Sequence, residues 1–359
     1  MFGTFDPSVA TQKTTYGDNK SVSQNFIRNS SQGTSQVTFK GEEDLGGGLK
    51  AAFLLENDFD TRFDANGNPY NGKVNFGSGG GEQFLGLMGD FGSVKIGSAN
   101  TPSLYAQANR NPFGTKIGSG FGGVLGASHV RSPNSLVYGS PVFAGGLSFG
   151  LAYSFKTNAD ANAATAYDIS KGPSSVTTTT VTTLNTNVTP NTATSTSTST
   201  LNNAASLNTK EVGANTDFGL NYANGPLSAQ LSFWNTDAVS GGAKNKQTNF
   251  NAAYDFGMAK VFVGMHAEKT EGSLETAGKN IGVSVPLNAQ TSLLANAGRL
   301  DDKRATNLDK KIAAVGVKYT LSNRTSVYAR YVDEKNDNVT ATGSAKAIRT
   351  GLVGLQHNF

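Results

Sequence analysis

The 359-residue chain has no cysteine and no run of about 18 uninterrupted apolar residues, the length that a membrane-spanning helix needs. The missing cysteine excludes disulfide scaffolds and thiolate metal sites. Charged residues make up only 16% of the chain, and 30 basic against 26 acidic side chains leave a net charge of +4. This small, dispersed excess excludes a nucleic-acid partner. If the chain crosses a bilayer, it must do so in strands.

Short segments in which every second residue is apolar recur along the whole chain. In residues 48–59, for example, Phe53 and Leu55 alternate with polar side chains. Very short glycine-containing connections, such as residues 89–92, alternate with long polar ones. A transmembrane strand needs only about 9 to 11 residues with one apolar face, so the pattern predicts an all-β fold, an antiparallel transmembrane β-barrel of about 16 strands.

A soluble β-sandwich or β-helix would show the same period of two. The alternation of tight turns with long loops favours the barrel, because barrels have tight turns at one end and longer loops at the other. The chain ends on Phe359, in phase with Val353 and Leu355, which predicts that this residue closes the barrel against the first strand. Aromatic residues near strand ends, including Trp234, fit either an interfacial girdle or an ordinary core position. Residues 1–5 already alternate as a strand, so we expect that a signal peptide has been removed.

Two connections are much longer than the others. Residues 157–210 are rich in threonine and serine and lack a packing face, which predicts a long external loop. Residues 100–134 contain apolar anchors such as Phe113 and Leu125 among many glycines, so this loop is expected to fold inward. We therefore expect one domain that spans residues 1–359.

Three stretches resemble the general porins of Gram-negative outer membranes, most closely the β-proteobacterial and neisserial type. They are KGEEDLGGGLKA at residues 40–51, GDFGSVKIG at 89–97 and NSLVYGSPVFAG at 134–145. The resemblance implies a homotrimer of sixteen-stranded barrels in the outer membrane, each with a water-filled pore narrowed by residues 100–134. It also implies passive diffusion of small hydrophilic solutes and ions, with outer-membrane lipid and lipopolysaccharide as further partners.

The expected constriction loop contains no aspartate or glutamate, but it contains Arg110, Lys116 and Arg131. Fixed charge in a narrow pore attracts ions of the opposite sign, so these residues predict a basic constriction and anion preference. The preference should be mild, because wall positions at which related porins usually carry arginine are uncharged here: Gln36, Gly81, Ser98 and Val137. Strand parity predicts further pore-lining charges: Lys40, Glu56, Asp58, Lys95, Lys318 and Arg330.

No catalytic residue, metal ligand or cofactor is expected. Residues 118–123 spell G-x-G-x-x-G, but no helical pattern follows them. The histidines His129, His266 and His357 are too far apart in sequence for a metal motif. Two alternatives stay open, a substrate-selective channel for one small organic solute and, in a different class, a surface adhesin or soluble β-sandwich binding module.

Overall fold

The computed structural model describes residues 1–60, 80–126, 130–131, 134–156, 213–237 and 243–359, together with the backbone of 176–185 and 192–201. The chain divides into two compact units, Met1–Phe155 with Ala214–Phe359, and Lys156–Gly213. Within the described ranges, the first unit contains a short helix, α1 (Pro102–Ala108), and an 18-stranded sheet. The strands in chain order, of which β10 and β11 belong to the second unit, are β1 (Phe2–Phe5), β2 (Pro7–Tyr16), β3 (Ser21–Asn29), β4 (Gln36–Gly46), β5 (Leu49–Asp58), β6 (Gln83–Gly89), β7 (Gly92–Ser98), β8 (Ser135–Gly139), β9 (Leu147–Ser154), β10 (Val176–Asn185), β11 (Thr192–Leu201), β12 (Asn215–Asn224), β13 (Leu227–Thr236), β14 (Asn245–Asp255), β15 (Lys260–Thr270), β16 (Leu274–Pro286), β17 (Thr291–Asp302), β18 (Lys310–Thr320), β19 (Thr325–Asn336) and β20 (Ala345–Asn358).

The sheet closes on itself. Strand β2 pairs antiparallel with β20, with Val9 opposite Val353, and every other neighbouring pair in the sheet is also antiparallel. Strands β1 and β2 both lie against β20, and each pairs on its other side with β4 or β3, so the four segments make two broken barrel strands. The 18 segments therefore form a closed barrel of 16 strands, which confirms the predicted fold class and rules out an open sandwich.

The two faces of the barrel differ in the way the sequence pattern predicts. On β15, Val263 and Met265 are exposed on the outer face, whereas Phe262 and His266 are buried on the inner face. Polar residues of other strands, such as Asn249, are likewise buried inside. An apolar outer face and a polar inner face suit a barrel that is surrounded by lipid and filled with water. No described helix is long and apolar enough to span a membrane.

The structure decides between the two positions that the sequence left open for Trp234. This residue lies on the inner face of β13 and is completely buried. Its neighbour Phe233 is 40% exposed on the outer face. Position near a strand end was not enough to predict its side, because a shift of one residue moves a side chain to the opposite face.

Connections at the two ends of the barrel differ in length. Residues 47–48 join β4 to β5 and residues 225–226 join β12 to β13, and we call this end the turn end. At the opposite end, the loop end, residues 59–82 join β5 to β6 and residues 99–134 join β7 to β8. Short turns at one end and longer loops at the other are typical of outer-membrane barrels, whose long loops are extracellular.

The second unit contains a β-hairpin. Strands β10 and β11 pair antiparallel over ten residue pairs, from Val176 opposite Leu201 to Asn185 opposite Thr192. The other residues of the predicted 157–210 loop lie outside the described residues.

Candidate functional site: the pore constriction

The described residues of the predicted 100–134 loop, which we call the constriction loop, fold onto the inner face of the barrel. The loop begins with α1, whose first turn is capped by Thr101, since the Oγ1 atom accepts a hydrogen bond from the Leu104 amide at 3.3 Å. Ser103 donates from its hydroxyl to Asp217 of β12 at 2.7 Å, and its amide donates to the same carboxylate at 2.8 Å. Gln230 of β13 donates to the Pro102 carbonyl at 2.6 Å. These bonds attach the start of the loop to β12 and β13.

The rest of the loop follows the wall toward β19. Gln107 donates to Asn249 of β14 at 2.9 Å, and Asn296 of β17 donates to the Gly118 carbonyl at 2.9 Å. Three of the predicted apolar anchors are buried against wall side chains in one cluster, which comprises Phe113, Val124 and Leu125 of the loop with Leu300, Ile312, Ala314 and Val332 of the wall. A loop held by both polar and apolar contacts along so many strands is a fixed part of the lumen.

Arg110 and Arg330 attach this loop to the wall. The Arg110 guanidinium donates to Gln230 at 2.9 Å and to Asn221 at 3.3 Å, and only 6% of the residue is exposed. Arg330 of β19 is 5% exposed and lies 4.9 Å from the ring centroid of Phe113. Both arginines were predicted to face the pore, but their charged groups are covered by the packing of loop on wall.

A second segment also enters the lumen, and the sequence did not reveal it. Residues 30–35 leave the wall between β3 and β4. Asp6 holds this segment, since its carboxylate accepts hydrogen bonds from the amides of Gln32 at 2.5 Å and Gly33 at 2.7 Å. The only signal in the sequence is the run of turn-forming residues NSSQGTS at 29–35.

The second segment is bonded to the constriction loop. Lys116 donates from Nζ to the Thr34 hydroxyl at 2.6 Å. Arg330 donates to the carbonyls of Ser31 at 2.7 Å and Ile117 at 2.8 Å, and so joins both segments to β19. The two inward segments therefore narrow the bore together.

The basic groups of the loop meet acidic groups of the wall. The Arg131 guanidinium lies 3.8 Å from a Glu56 carboxylate oxygen and 3.6 Å from one of Asp58, both on β5. Nearby on the wall, Lys95 lies 3.3 Å from Glu82. Burial lowers the pKa of the Lys116 ammonium, and the carboxylates of Asp58 and Asp6 oppose that shift. The loop itself lacks acidic residues, but the constriction as a whole does not.

Three other predicted residues lie away from the constriction. Lys40 is exposed on β4, with Nζ 5.8 Å from the ring centroid of Phe2. Lys318 is half-buried on the inner face of β18, opposite Tyr328 of β19. Phe359 follows β20, and its backbone amide donates to the Gly3 carbonyl at 3.0 Å, which ties the last residue to β1.

Two of the uncharged wall positions named above, Gln36 and Val137, have clear contacts in the structure. Gln36 donates to Glu56 at 2.6 Å, so a neutral amide contacts the carboxylate that also faces Arg131. Val137 is buried on the inner wall in an apolar cluster with Phe84. His129 lies outside the described residues, and His266 is hydrogen-bonded to Asn249 at 2.6 Å.

Comparison with known proteins agrees with this architecture. Residues 1–339 match the family of Gram-negative porins. Outer membrane porin protein 32 of Delftia acidovorans is 25% identical over 386 residues, which cover 100% of this chain and 93% of that protein. An outer membrane porin protein of Bordetella pertussis is 26% identical over 375 residues, covering 92% of this chain and 84% of that protein.

Solved porin structures are similar over the whole barrel. The anion-selective porin from Comamonas acidovorans superimposes with a TM-score of 0.71 at 23% identity, covering 100% of this chain and 98% of that one. OmpT of Vibrio cholerae in its trimer form gives a TM-score of 0.64 at 12% identity, with coverages of 100% and 98%. A closed barrel of 16 strands, a constriction loop on its inner wall and a family match over residues 1–339 lead to one conclusion: this chain belongs to the Gram-negative porins, the channel proteins of the outer membrane.

Proposed function

We propose that this porin passes small hydrophilic solutes and ions by passive diffusion, with a mild preference for anions and without covalent chemistry. The observation that carries the proposal is the balance of charges at the constriction. Arg131 lies between Glu56 and Asp58, and Lys95 lies beside Glu82, so most fixed charges there have an opposite charge within 4 Å. Arg131 faces two carboxylates, and Lys116, which donates to the neutral Thr34 hydroxyl, offsets the second of them. Arg110 donates to the neutral side chains of Gln230 and Asn221 and supplies the one excess positive charge.

The size of the preference follows from one excess unit charge. At about 6 Å from a passing ion, in water with 0.1 M salt, such a charge changes the ion's energy by roughly 0.4 kcal/mol. The effect has opposite sign for anion and cation, so we expect an anion-to-cation permeability ratio of about 2 to 4.

Reversal potentials in planar bilayers test this value. With a tenfold potassium chloride gradient, the sign should indicate preference for chloride. A potential that indicates preference for potassium would contradict the proposed source of selectivity. Block of the current by one class of small organic solute would instead support a substrate-selective channel, the alternative suggested by the uncharged wall.

Assembly and membrane partners belong to the same proposal. We infer a homotrimer in a membrane of lipid and lipopolysaccharide, supported by the apolar outer face and by a trimeric form of the similar OmpT. Gel migration in detergent before and after heating tests the trimer, because an unheated trimer should run as a compact oligomer. The single-domain organisation of residues 1–359, with 157–210 as an external loop, stays a prediction.

A further inference from the structure

The first two barrel strands contain unequal lengths of chain. The first strand is made of β1 and β2, and the second is made of β3 and β4. Thr4 lies opposite Gln36 and Pro7 lies opposite Asn29, so only residues 5–6 of the first strand face the second segment, residues 30–35. The second segment is therefore four residues longer than the wall beside it. Because the wall cannot hold this extra chain, the segment must leave it.

The extra length determines how far the second segment enters the bore. Four extra residues that go out and come back extend by about two residues, or roughly 6 to 7 Å from the wall. Thr34 accepts a hydrogen bond from Lys116 of the constriction loop at 2.6 Å, so the segment extends far enough to meet that loop. Gln32, Gly33 and Thr34 are only half-buried. These residues occupy part of the cross-section of the bore and keep a surface toward it.

The second segment contains no charged residue. The ion pairs of the constriction lie on other elements, with Arg131 beside Glu56 and Asp58, and Lys95 beside Glu82. Removing the second segment would therefore change the width of the bore without removing any of its fixed charges. The sequence thus separates the part of the constriction that carries charge from a part that only takes up space.

Asp6 holds the second segment from the break between β1 and β2. Besides the two backbone amides described above, its carboxylate accepts a hydrogen bond from the Tyr328 hydroxyl of β19. The Asp6 amide donates to the Ser35 hydroxyl at 3.0 Å, and the Asp6 carbonyl accepts from the Ser30 amide at 2.8 Å. Asp6 itself is completely buried. It can therefore act on a passing solute only through the segment that it holds.

We propose that the second segment sets the size limit of the pore for uncharged hydrophilic solutes, and that Asp6 is the residue that positions it. The size limit is then independent of the charges that give the anion preference. The constriction loop carries basic groups, whereas the second segment narrows the bore with neutral backbone and side chains. This inference rests on the proposed function as a diffusion channel and assigns one part of that function, the selection by size, to residues 30–35.

Polymer exclusion in planar bilayers measures the size limit directly. Polyethylene glycols of increasing hydrodynamic radius are added, and the largest one that still lowers the single-channel conductance gives the cut-off radius. Deletion of residues 31–34 removes the extra chain, and because an even number is removed, the inner and outer faces of β4 stay as they are. The cut-off radius of this deletion variant should rise by about 3 Å, half of the distance that the segment extends from the wall. The reversal potential should still indicate preference for chloride, because no charge is lost.

The variant D6A tests the positioning role without shortening the chain. It removes the carboxylate that holds the segment and should raise the cut-off radius part of the way toward that of the deletion. Combined with the deletion, D6A should cause no further increase, because Asp6 acts only through the deleted residues. D18A is the matched control, since Asp18 lies in the turn between β2 and β3 and its carboxylate accepts a hydrogen bond from the Lys20 amide at 3.1 Å. Its cut-off radius should equal that of the wild type.

Three outcomes would overturn the proposal. They are an unchanged cut-off radius in the deletion variant, an unchanged cut-off radius in D6A, and an equal increase in the D18A control. D6A keeps every residue of the segment, so it decides the question even where the shortened chain fails to fold. The polymers are neutral, and the comparison of cut-off radii therefore does not depend on ion preference. Preference for potassium in the wild type would contradict the proposed function, whereas equal cut-off radii in chloride-selective channels would overturn only the role of the second segment.

Discussion

Replacing Arg131 with glutamine should abolish the anion preference. The guanidinium lies 3.8 Å from Glu56 and 3.6 Å from Asp58, so the variant keeps both carboxylates at the constriction and removes one positive charge between them. Glutamine keeps a polar side chain that can donate a hydrogen bond, so the loop should keep its position. The net charge at the constriction then falls by one unit.

The magnitude follows from screened Coulomb interaction. A unit charge about 6 Å from a passing ion is worth roughly 0.4 kcal/mol in water at 0.1 M salt, which is about a factor of two in the permeability of each ion. Because anion and cation respond in opposite directions, the anion-to-cation ratio should fall about fourfold, from about 3 to about 0.8. Any lower effective dielectric constant in the narrow bore increases this change.

Reversal potentials under a tenfold potassium chloride gradient measure the ratio for each variant. R131Q/E56Q restores the charge balance and should return the ratio to the wild-type value. R299Q is the matched control, because it removes the same charge from the outer face. A ratio in R131Q that stays within twofold of the wild type, or failure of E56Q to restore it, would refute the electrostatic reasoning.

Three further predictions concern the contacts that hold the constriction. R330Q should destabilise the barrel by about 3 kcal/mol in urea unfolding and increase open-channel noise. The reason is the loss of two hydrogen bonds from a charged group to the carbonyls of the inward segments. A quiet channel of normal stability would show that these two bonds do not hold the segments in place. G278A should lower single-channel conductance, because a Cβ atom there would overlap the Val124 carbonyl oxygen and push the loop into the bore; unchanged conductance would show that the loop can move without narrowing the pore. Burial lowers the pKa of Lys116, so the anion preference should be present at neutral pH and lost as the pH rises toward the usual lysine pKa of about 10.4. The K116M variant should show no such pH dependence. A pH dependence that persists in K116M would assign the titration to another group.

The barrel and its inward loop could be predicted from the sequence because both depend on local patterns. Alternation with a period of two located the strands, and buried apolar anchors such as Phe113 and Leu125 indicated that the constriction loop folds inward. Residues 30–35 were missed because a break in a strand does not change the alternation on either side of it. Their position became evident only from the hydrogen bonds of Asp6 to the segment.

The electrostatics of the constriction could not be predicted from the loop alone. The absence of acidic residues in the loop is real, but Glu56 and Asp58 of the wall meet Arg131 where the loop packs on β5. Arg110 was expected in the open pore, yet its position depends on acceptors on β12 and β13, including Gln230, that are remote in sequence. Strand parity shows which face a charge occupies, but not whether another segment covers it.

The inward fold of the constriction loop is tested most directly by a single cysteine at Tyr105, which is 37% exposed on α1 in a chain without native cysteine. Single-channel current through Y105C should fall by more than half when a sulfonate-bearing thiol reagent reacts. Complete modification, verified by mass spectrometry, without any change in current would show that the loop lies outside the conducting path.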